Sequence, residues 1–249
     1  MIIGNCEIYI GTSGWTYDHW KGTFYPLSLP KSRWFDFYSQ HFPAVEVNAT
    51  FYRTFAPATY EKWHRQAPHG FLYVLKVPRI ITHRKFLKDV RDDINAFEHS
   101  AMLLKEKLGA LLLQIAPQTP CDTALLEEVC SMFMHPEKVT VEFRHPCWFT
   151  SSVDSLLKKY HMIACNFDSP SLQRFDWITA DTAYFRLHGH PRWYASNYSL
   201  PELQALAGQI KEATDQGLKR VFVFFNNDFH GYAPDNARQL TGLLTNFVK

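Results

Sequence analysis

Alternation constrains this chain more than any other feature. Eight short apolar runs are spaced along it: Glu7–Gly11, Ala44–Asn48, Phe71–Val77, Ala110–Ile115, Val139–Arg144, Met162–Asp168, Tyr184–His188 and Arg220–Asn226. All are rich in Val, Ile, Leu, Phe and Tyr, the composition of strands. Helical patterns separate most of them: Lys31–Phe42, Ala58–Gln66, Asp92–Leu108, Thr123–Met134, Ser151–Tyr160, Pro201–Gln216 and Asp235–Phe247. Ser, Thr, Asp or Pro stands near their starts. Only the connection Ser169–Ala183 is weakly helical. Strands alternating with helices require parallel pairing and right-handed crossovers. Eight units in 249 residues predict one α/β domain over residues 1–249, a closed (β/α)8 barrel. A doubly wound open sheet is the alternative. It would favour a Gly-rich first turn, and the stretch Gly11–Trp15, "GTSGW", is not G-x-G-x-x-G.

Composition narrows the class of partner. The formal net charge is +2, so no global cationic excess advertises a polyanion. The five cysteines are dispersed without a C-x-x-C pair, which predicts reduced packing thiols rather than a disulfide framework or a zinc site. The N-terminus lacks the pattern of a signal peptide. The apolar run "GALLLQIA" is too short to span a bilayer. A cytoplasmic protein without membrane contact is expected. The residues imply no cofactor and specify no oligomeric state.

Side chains alternate faces along a strand, so parity sorts each run. On the second strand Val45 and Val47 oppose Glu46 and Asn48. On the fifth, Val139, Val141 and Phe143 oppose Thr140, Glu142 and Arg144. On the seventh, Phe185 and Leu187 oppose Tyr184, Arg186 and His188. On the third, Leu72, Val74 and Lys76 share one face. The sixth aligns Asn166 with Asp168, and the fourth ends near Gln114. One arrangement satisfies all of these: the apolar parity faces the helices, and the other faces the barrel axis, turning polar toward the C-terminal strand ends where such barrels build their sites.

Burying these charges is costly unless they are paired. A self-satisfied ion-pair network is the structural reading of them. The functional reading makes Glu46 and Glu142 an acid/base pair, with neighbouring cations keeping one ionised and burial raising the other. Lys76 acts electrostatically, and Asp168 and His188 complete the catalytic set. Arg144 and Arg186 offer planar forks for bidentate anion binding. Trp15, Asn48, Thr50, Tyr52, Arg79, His83, Gln114, His145, Trp148 and Asn227 are the remaining candidate substrate contacts. A metal held by Glu46, Glu142, Asp168 and His188 is an alternative that the interleaved Lys and Arg oppose, and no residue is assigned as a metal ligand. Cys147 and Cys165 are read as packing.

The segments "GTSGW", "VEVNATFY" (Val45–Tyr52), "LKVPRIITH" (Leu75–His83), "LLLQIAP" (Leu111–Pro117), "VEFRHPCW" (Val141–Trp148), "YFRLHG" (Tyr184–Gly189) and "FFNND" (Phe224–Asp228) resemble the signatures of the YecE-like domain-of-unknown-function family. The resemblance covers nearly the whole chain. It implies a TIM barrel and carries no assigned activity. It also implies a distant similarity to barrels that include an apurinic endonuclease.

Three functions are therefore weighed. The first is a metal-independent enzyme acting on a phosphorylated or carboxylated small molecule. The second is nucleic-acid or nucleotide binding or cleavage, for which Trp15, Trp20, Phe51, Tyr52, Trp148, Trp193, Tyr194 and Tyr198 lie in predicted loops suited to base stacking. The third is a non-catalytic binding scaffold.

Overall fold

The computed structural model describes residues 1–174 and 176–248. Eight strands form the frame: β1 Cys6–Ser13, β2 Ala44–Val47, β3 Leu72–Lys76, β4 Leu108–Ile115, β5 Val139–Phe143, β6 Ile163–Ser169, β7 Thr182–Leu187 and β8 Arg220–Phe225. They hydrogen-bond in sequence order, and β1 pairs with both β8 and β2, so the sheet closes. The chain is a (β/α)8 barrel.

Among the described residues, seven α-helices longer than one turn follow strands: α1 Trp34–His41, α2 Pro57–Gln66, α3 Arg91–Ala101, α4 Thr123–Met132, α5 Ser151–Lys159, α6 Leu200–Asp215 and α7 Tyr232–Thr245. Local chemistry sets several starts. The Asp122 carboxylate accepts from the N–H groups of Ala124 and Leu125, both at 3.0 Å. Thr150 caps α5 through Val153 N–H, and Ser199 with Glu202 forms a capping box on α6. Between β6 and β7 the described residues hold no helix. The short strand Leu172–Arg174 instead folds back antiparallel on β6. Phe175, inside the stretch predicted as weakly helical, lies outside the described residues. The stretch predicted as one helix over Asp92–Leu108 is α3 followed by a 3-10 segment, Met102–Lys107, broken where Lys105 takes φ 51°. Ile94, Phe97, Ala101, Leu104 and Leu108, the apolar stripe of this stretch, are all buried.

The chain divides into two compact units. One contains Met1–Glu46, Asn166–Trp177 and Asp181–Lys249, and the other Val47–Cys165 and Ile178–Ala180. In the first, β8 pairs in parallel with β1 and β7, and β1 with β2. The parity opposite the helices carries an aromatic layer: Phe222 lies 5.5 Å from Tyr9 and 5.9 Å from Tyr184, and Phe224 lies 5.5 Å from Tyr184, between ring centres. Large rings suit this position because each buries a wide area and pairs at an offset. In the second unit, β4 pairs in parallel with β3 and β5. There Gln114 stands directly opposite Glu142. That register carries two polar side chains past an otherwise apolar floor of Leu72, Val74, Ala110 and Leu112, all buried.

Candidate functional site

In the first unit the polar cluster begins above the aromatic layer. Glu46, at the end of β2, is 0% exposed, and its partner Arg186 is 1% exposed. The Arg186 guanidinium donates through Nε to Oε2 at 2.8 Å and through Nη2 to Oε1 at 2.7 Å. The Tyr184 hydroxyl adds a bond to Oε2 at 2.7 Å, and Ser13 Oγ one to Oε1 at 2.7 Å. A carboxylate has about four lone-pair sites, so these four donors saturate it. Burial alone would push the Glu46 carboxyl up. The Arg186 charge, together with the bonds from Arg186, Tyr184 and Ser13, outweighs it and leaves the group below its ordinary value.

The chain of contacts continues beyond Arg186. Its Nη1 lies 3.3 Å from His188 Nε2. A guanidinium can only donate, so Nε2 is the acceptor of this contact. The Asn226 amide nitrogen meets Nδ1 at 3.0 Å. Asp168 is held separately. Its Oδ2 accepts from the Tyr198 hydroxyl at 2.7 Å and its Oδ1 from Gln173 at 3.2 Å. Burial raises the Asp168 carboxyl, and the Tyr198 bond opposes that rise. Asn227 is buried and donates to Ser196 O at 2.9 Å and to Asn236 Oδ1 at 2.8 Å, which ties the loop after β7 to α7. Trp15 is half-buried and edge-on to Phe35.

In the second unit a different cluster gathers at the ends of β3, β4 and β5. Glu142 is 0% exposed and accepts from Gln114 Nε2 at 3.1 Å. Arg144 Nε is buried against the same carboxylate oxygen, while the arginine side chain as a whole is 14% exposed, against 1% for Arg186. Lys76 Nζ sits 4.1 Å from the centre of the Phe51 ring, a cation–π placement. Thr50 donates to Lys76 O at 2.7 Å and anchors the one-turn helix Ala49–Tyr52 on β3. Phe51 in turn meets His83 edge-on at 4.9 Å.

His83 rides on a π-type turn, Ile80–Arg84, a rare form found often at functional sites. Phe86 and Leu87, just beyond, take φ 48° and 71°, a left-handed conformation that disfavours side chains. The His83 Nδ1 pairs with Thr82 Oγ1 at 2.7 Å. Burial lowers the His83 pKa, Lys76 and Arg144 lower it further, and Glu142 opposes them.

The remaining candidates fall as follows. Asn48 follows β2 instead of ending it, takes a helical conformation, and keeps a buried Oδ1 without a hydrogen-bond partner among the described residues. Arg79 is half-buried at the start of the His83 turn. Tyr52 is 65% exposed. Trp148 is buried and stacks on Phe143 at 5.2 Å, and its indole N–H meets no hydrogen-bond partner among the described residues. His145 is exposed.

The cysteine expectation is corrected. Cys121 and Cys147 are bonded to each other as a disulfide, with Cα atoms 6.3 Å apart. Both are exposed, so Cys147 is not a packing residue. Dispersion in sequence concealed them, because 26 residues separate two loops that follow adjacent strands. Cys165 is a buried free thiol, as are Cys6 and Cys130. Sequence reasoning also missed Ser13 and Asn226, and it named Phe51 and Tyr198 for base stacking and not as the ring beneath Lys76 and the donor to Asp168. Ser13 was legible in principle, since it continues the parity of Tyr9 and Gly11, but the first strand was read as ending at Gly11.

A (β/α)8 barrel with polar groups at its strand ends is the class of protein that fold and side chains define. A family model described as "Protein of unknown function DUF72" matches residues 9–248, and the chain belongs to that family, in agreement with the YecE-like resemblance. It is 28% identical to the UPF0759 protein YunF of Bacillus subtilis (strain 168), over 95% of this chain and 94% of that protein. The crystal structure of a DUF72 family protein from Thermotoga maritima MSB8 is similar at a TM-score of 0.86 and 30% identity, covering 96% of this chain and 99% of that one. A DUF72 family protein from Enterococcus faecalis V583 shares the fold at a TM-score of 0.80 and 22% identity, covering 96% of each chain. Among the described residues no helix is long and apolar enough to cross a membrane.

Proposed function

We propose that the protein is an enzyme that binds a phosphorylated or carboxylated small molecule at Lys76, Arg144 and His83 and moves a proton on it. The observation that carries this reading is the charge balance around His83. Lys76 and Arg144 both lower its pKa, and Glu142 opposes them. Cations gathered at strand ends favour an anion. Arg144 supplies the planar fork and Lys76 a point charge. His83 is held neutral near neutral pH and can accept a proton from a bound ligand. Glu142, already oriented by Gln114 and Arg144, is the carboxylate of the pair. Glu46 leaves the acid/base role in this reading, because its oxygens are saturated by donors. It holds Arg186 and the frame of the first unit instead.

A thermal-shift panel of inorganic phosphate, sugar phosphates, nucleotides and dicarboxylic acids tests the binding. At least one member is expected to raise the melting temperature, since ligand at 100 times its Kd adds about 2.7 kcal/mol. Arg144→Ala should weaken that ligand by about 1.5–3 kcal/mol, and Lys76→Met should weaken it as well. A shift that survives both substitutions removes these cations from the site. Glu142→Gln is expected to act in the opposite direction on an inert anion such as sulfate. It removes the opposing charge, so sulfate should bind more tightly while denaturant unfolding changes by no more than about 1 kcal/mol. The Arg144 side chain is 14% exposed, against 1% for Arg186, so losing its partner should cost less here than at Glu46.

Sulfate also gives a pH test, because its charge is constant from about pH 8 to about pH 5 while an ordinary histidine titrates near 6.5. His83 has its folded pKa lowered, so in the interval between the two pKa values the unfolded chain binds more protons. Stability is therefore full above the unfolded pKa and falls as pH drops toward the folded one. Sulfate should offset that loss, and its affinity should rise as His83 takes up its proton. His83→Gln should flatten the rise. An affinity that is flat with pH in the wild type would exclude His83 from the anion site.

A further inference from the structure

We infer that the exposed Cys121, His145 and Cys147 form, once the disulfide is reduced, a site for a zinc-class divalent cation. The three residues come from two loops of the second unit. Cys121 stands just before the Asp122 cap of α4, and His145 and Cys147 flank Pro146 in the turn after β5. One ligand atom from each lies within 4.8 Å of the other two. Thiolates and an imidazole around a tetrahedral cation, at about 2.3 Å for sulfur and about 2.0 Å for nitrogen, lie about 3.5–3.8 Å apart. The loops therefore bring the donors almost to the required spacing.

The chemistry of the donors agrees. Two thiolates and an imidazole form the Cys2His set of three-ligand zinc sites, which leaves a fourth position for water. The Cα separation of 6.3 Å suits a disulfide and equally two thiolates on one ion. Cys147 N–H donates to His145 Nδ1 at 3.3 Å, which holds the imidazole against the turn that carries Cys147. Asp122, beside Cys121, is fixed by its two cap bonds, which holds one side of the site in place.

The other cysteines show what a packing thiol looks like in this chain. Cys130 and Cys6 are buried, and burial pushes them up to about 12 and about 11, which makes them inert at neutral pH. Cys121 and Cys147 share none of that protection. Three free buried thiols beside a single exposed pair is not the pattern of a chain stapled by disulfides.

Loading begins with opening of the bridge. A phosphine reductant supplies two electrons and takes an oxygen from water as it becomes the phosphine oxide, and the two protons from that water give two thiols. The cation then displaces both thiol protons, so uptake should weaken as pH falls. The inference is independent of the anion reading, because it uses none of Lys76, His83 or Arg144.

Cobalt(II) is the probe. Full-length protein, stripped with chelator and kept reduced with a phosphine under nitrogen, is titrated with Co(II) and followed by absorption. The expected result is saturation at one cobalt per chain, with an intense thiolate-to-cobalt band in the near ultraviolet and tetrahedral bands in the visible, all bleached by zinc. Cys121→Ser and Cys147→Ser should each lose most of the near-ultraviolet band. His145→Ala should weaken binding by about tenfold or more, and the oxidised protein should take up no metal. All three side chains are exposed, and circular dichroism should show the variants folded. Reduced protein in which both Cys121 and Cys147 react as thiols and no cobalt bands appear would overturn the inference. So would bands that persist in the Cys121→Ser/Cys147→Ser double variant, or in the oxidised protein.

Discussion

Glu46→Gln is expected to lower folding stability by about 3–5 kcal/mol, the range for stranding one member of a buried ion pair. Arg186 is only 1% exposed and cannot turn to water when its partner loses its charge. The amide keeps the shape of the carboxylate but carries two N–H donors where the carboxylate had only acceptors. It would therefore confront at least one of Arg186, Tyr184 and Ser13 with a donor. The double variant Glu46→Gln/Arg186→Met should lose much less than the sum of the two single changes, because neither charge then remains buried alone. The pH dependence carries the same signature. Glu46 has a depressed folded pKa, so its stabilisation is present above the unfolded carboxylate value and is lost as pH falls through the folded one. Denaturant unfolding across the acid range should show a limb in the wild type that the Glu46→Gln variant lacks. A Gln variant as stable as wild type would mean that the pair does not support the fold.

Gly11→Ala is the second large effect. In the β1–β2 ladder Gly11 pairs with Ala44. A Cβ at position 11 would stand only 2.1 Å from the Ala44 carbonyl oxygen and 3.0 Å from the Tyr38 hydroxyl. The first neighbour is backbone and cannot swing aside. The second already donates to Ala44 O at 2.9 Å and accepts from Thr12 N–H at 2.9 Å. Relief requires β1 to move away from β2, at the expense of the Thr12–Val45 and Ser13–Glu46 pairings. Overpacking in a tight interior costs about 1–3 kcal/mol and occasionally more. This site should reach or pass the upper end, because a single methyl disturbs the ladder, the Tyr38 bridge and the Ser13 contact to Glu46 together. Gly208→Ala is the control: nothing lies within 4 Å of its added carbon, and it sits inside α6, where alanine is the better helix former. It should leave stability unchanged or raise it. Similar unfolding midpoints for the two variants would count against the packing argument.

The contrast between Glu46 and Glu142 shows how far sequence reading reached. Both were assigned to the axis-facing parity, and both side chains are fully buried. Parity carried that much because strand geometry is local: alternate residues face alternate sides whatever the rest of the chain does. Parity assigned the same character to Arg144 and Arg186. The structure separates them by access to water, with side chains 14% and 1% exposed, and that difference makes one a candidate for ligands and the other a brace.

The strand and helix alternation, and with it the (β/α)8 architecture, was determined by the sequence alone. Apolar periodicity, helix caps and short connections act over a few residues, and few topologies satisfy eight such units. The partners were decided only in the tertiary structure. Glu46 meets Arg186 across 140 residues of chain and Tyr184 across 138, and Cys121 meets Cys147 across 26. No periodicity encodes such meetings, because they depend on the register in which distant strands pair and on the loops those strands hold in place. Hydrogen bonds and metal-ligand geometry tolerate errors of only a few tenths of an ångström, and that precision arises only when the sheet has closed.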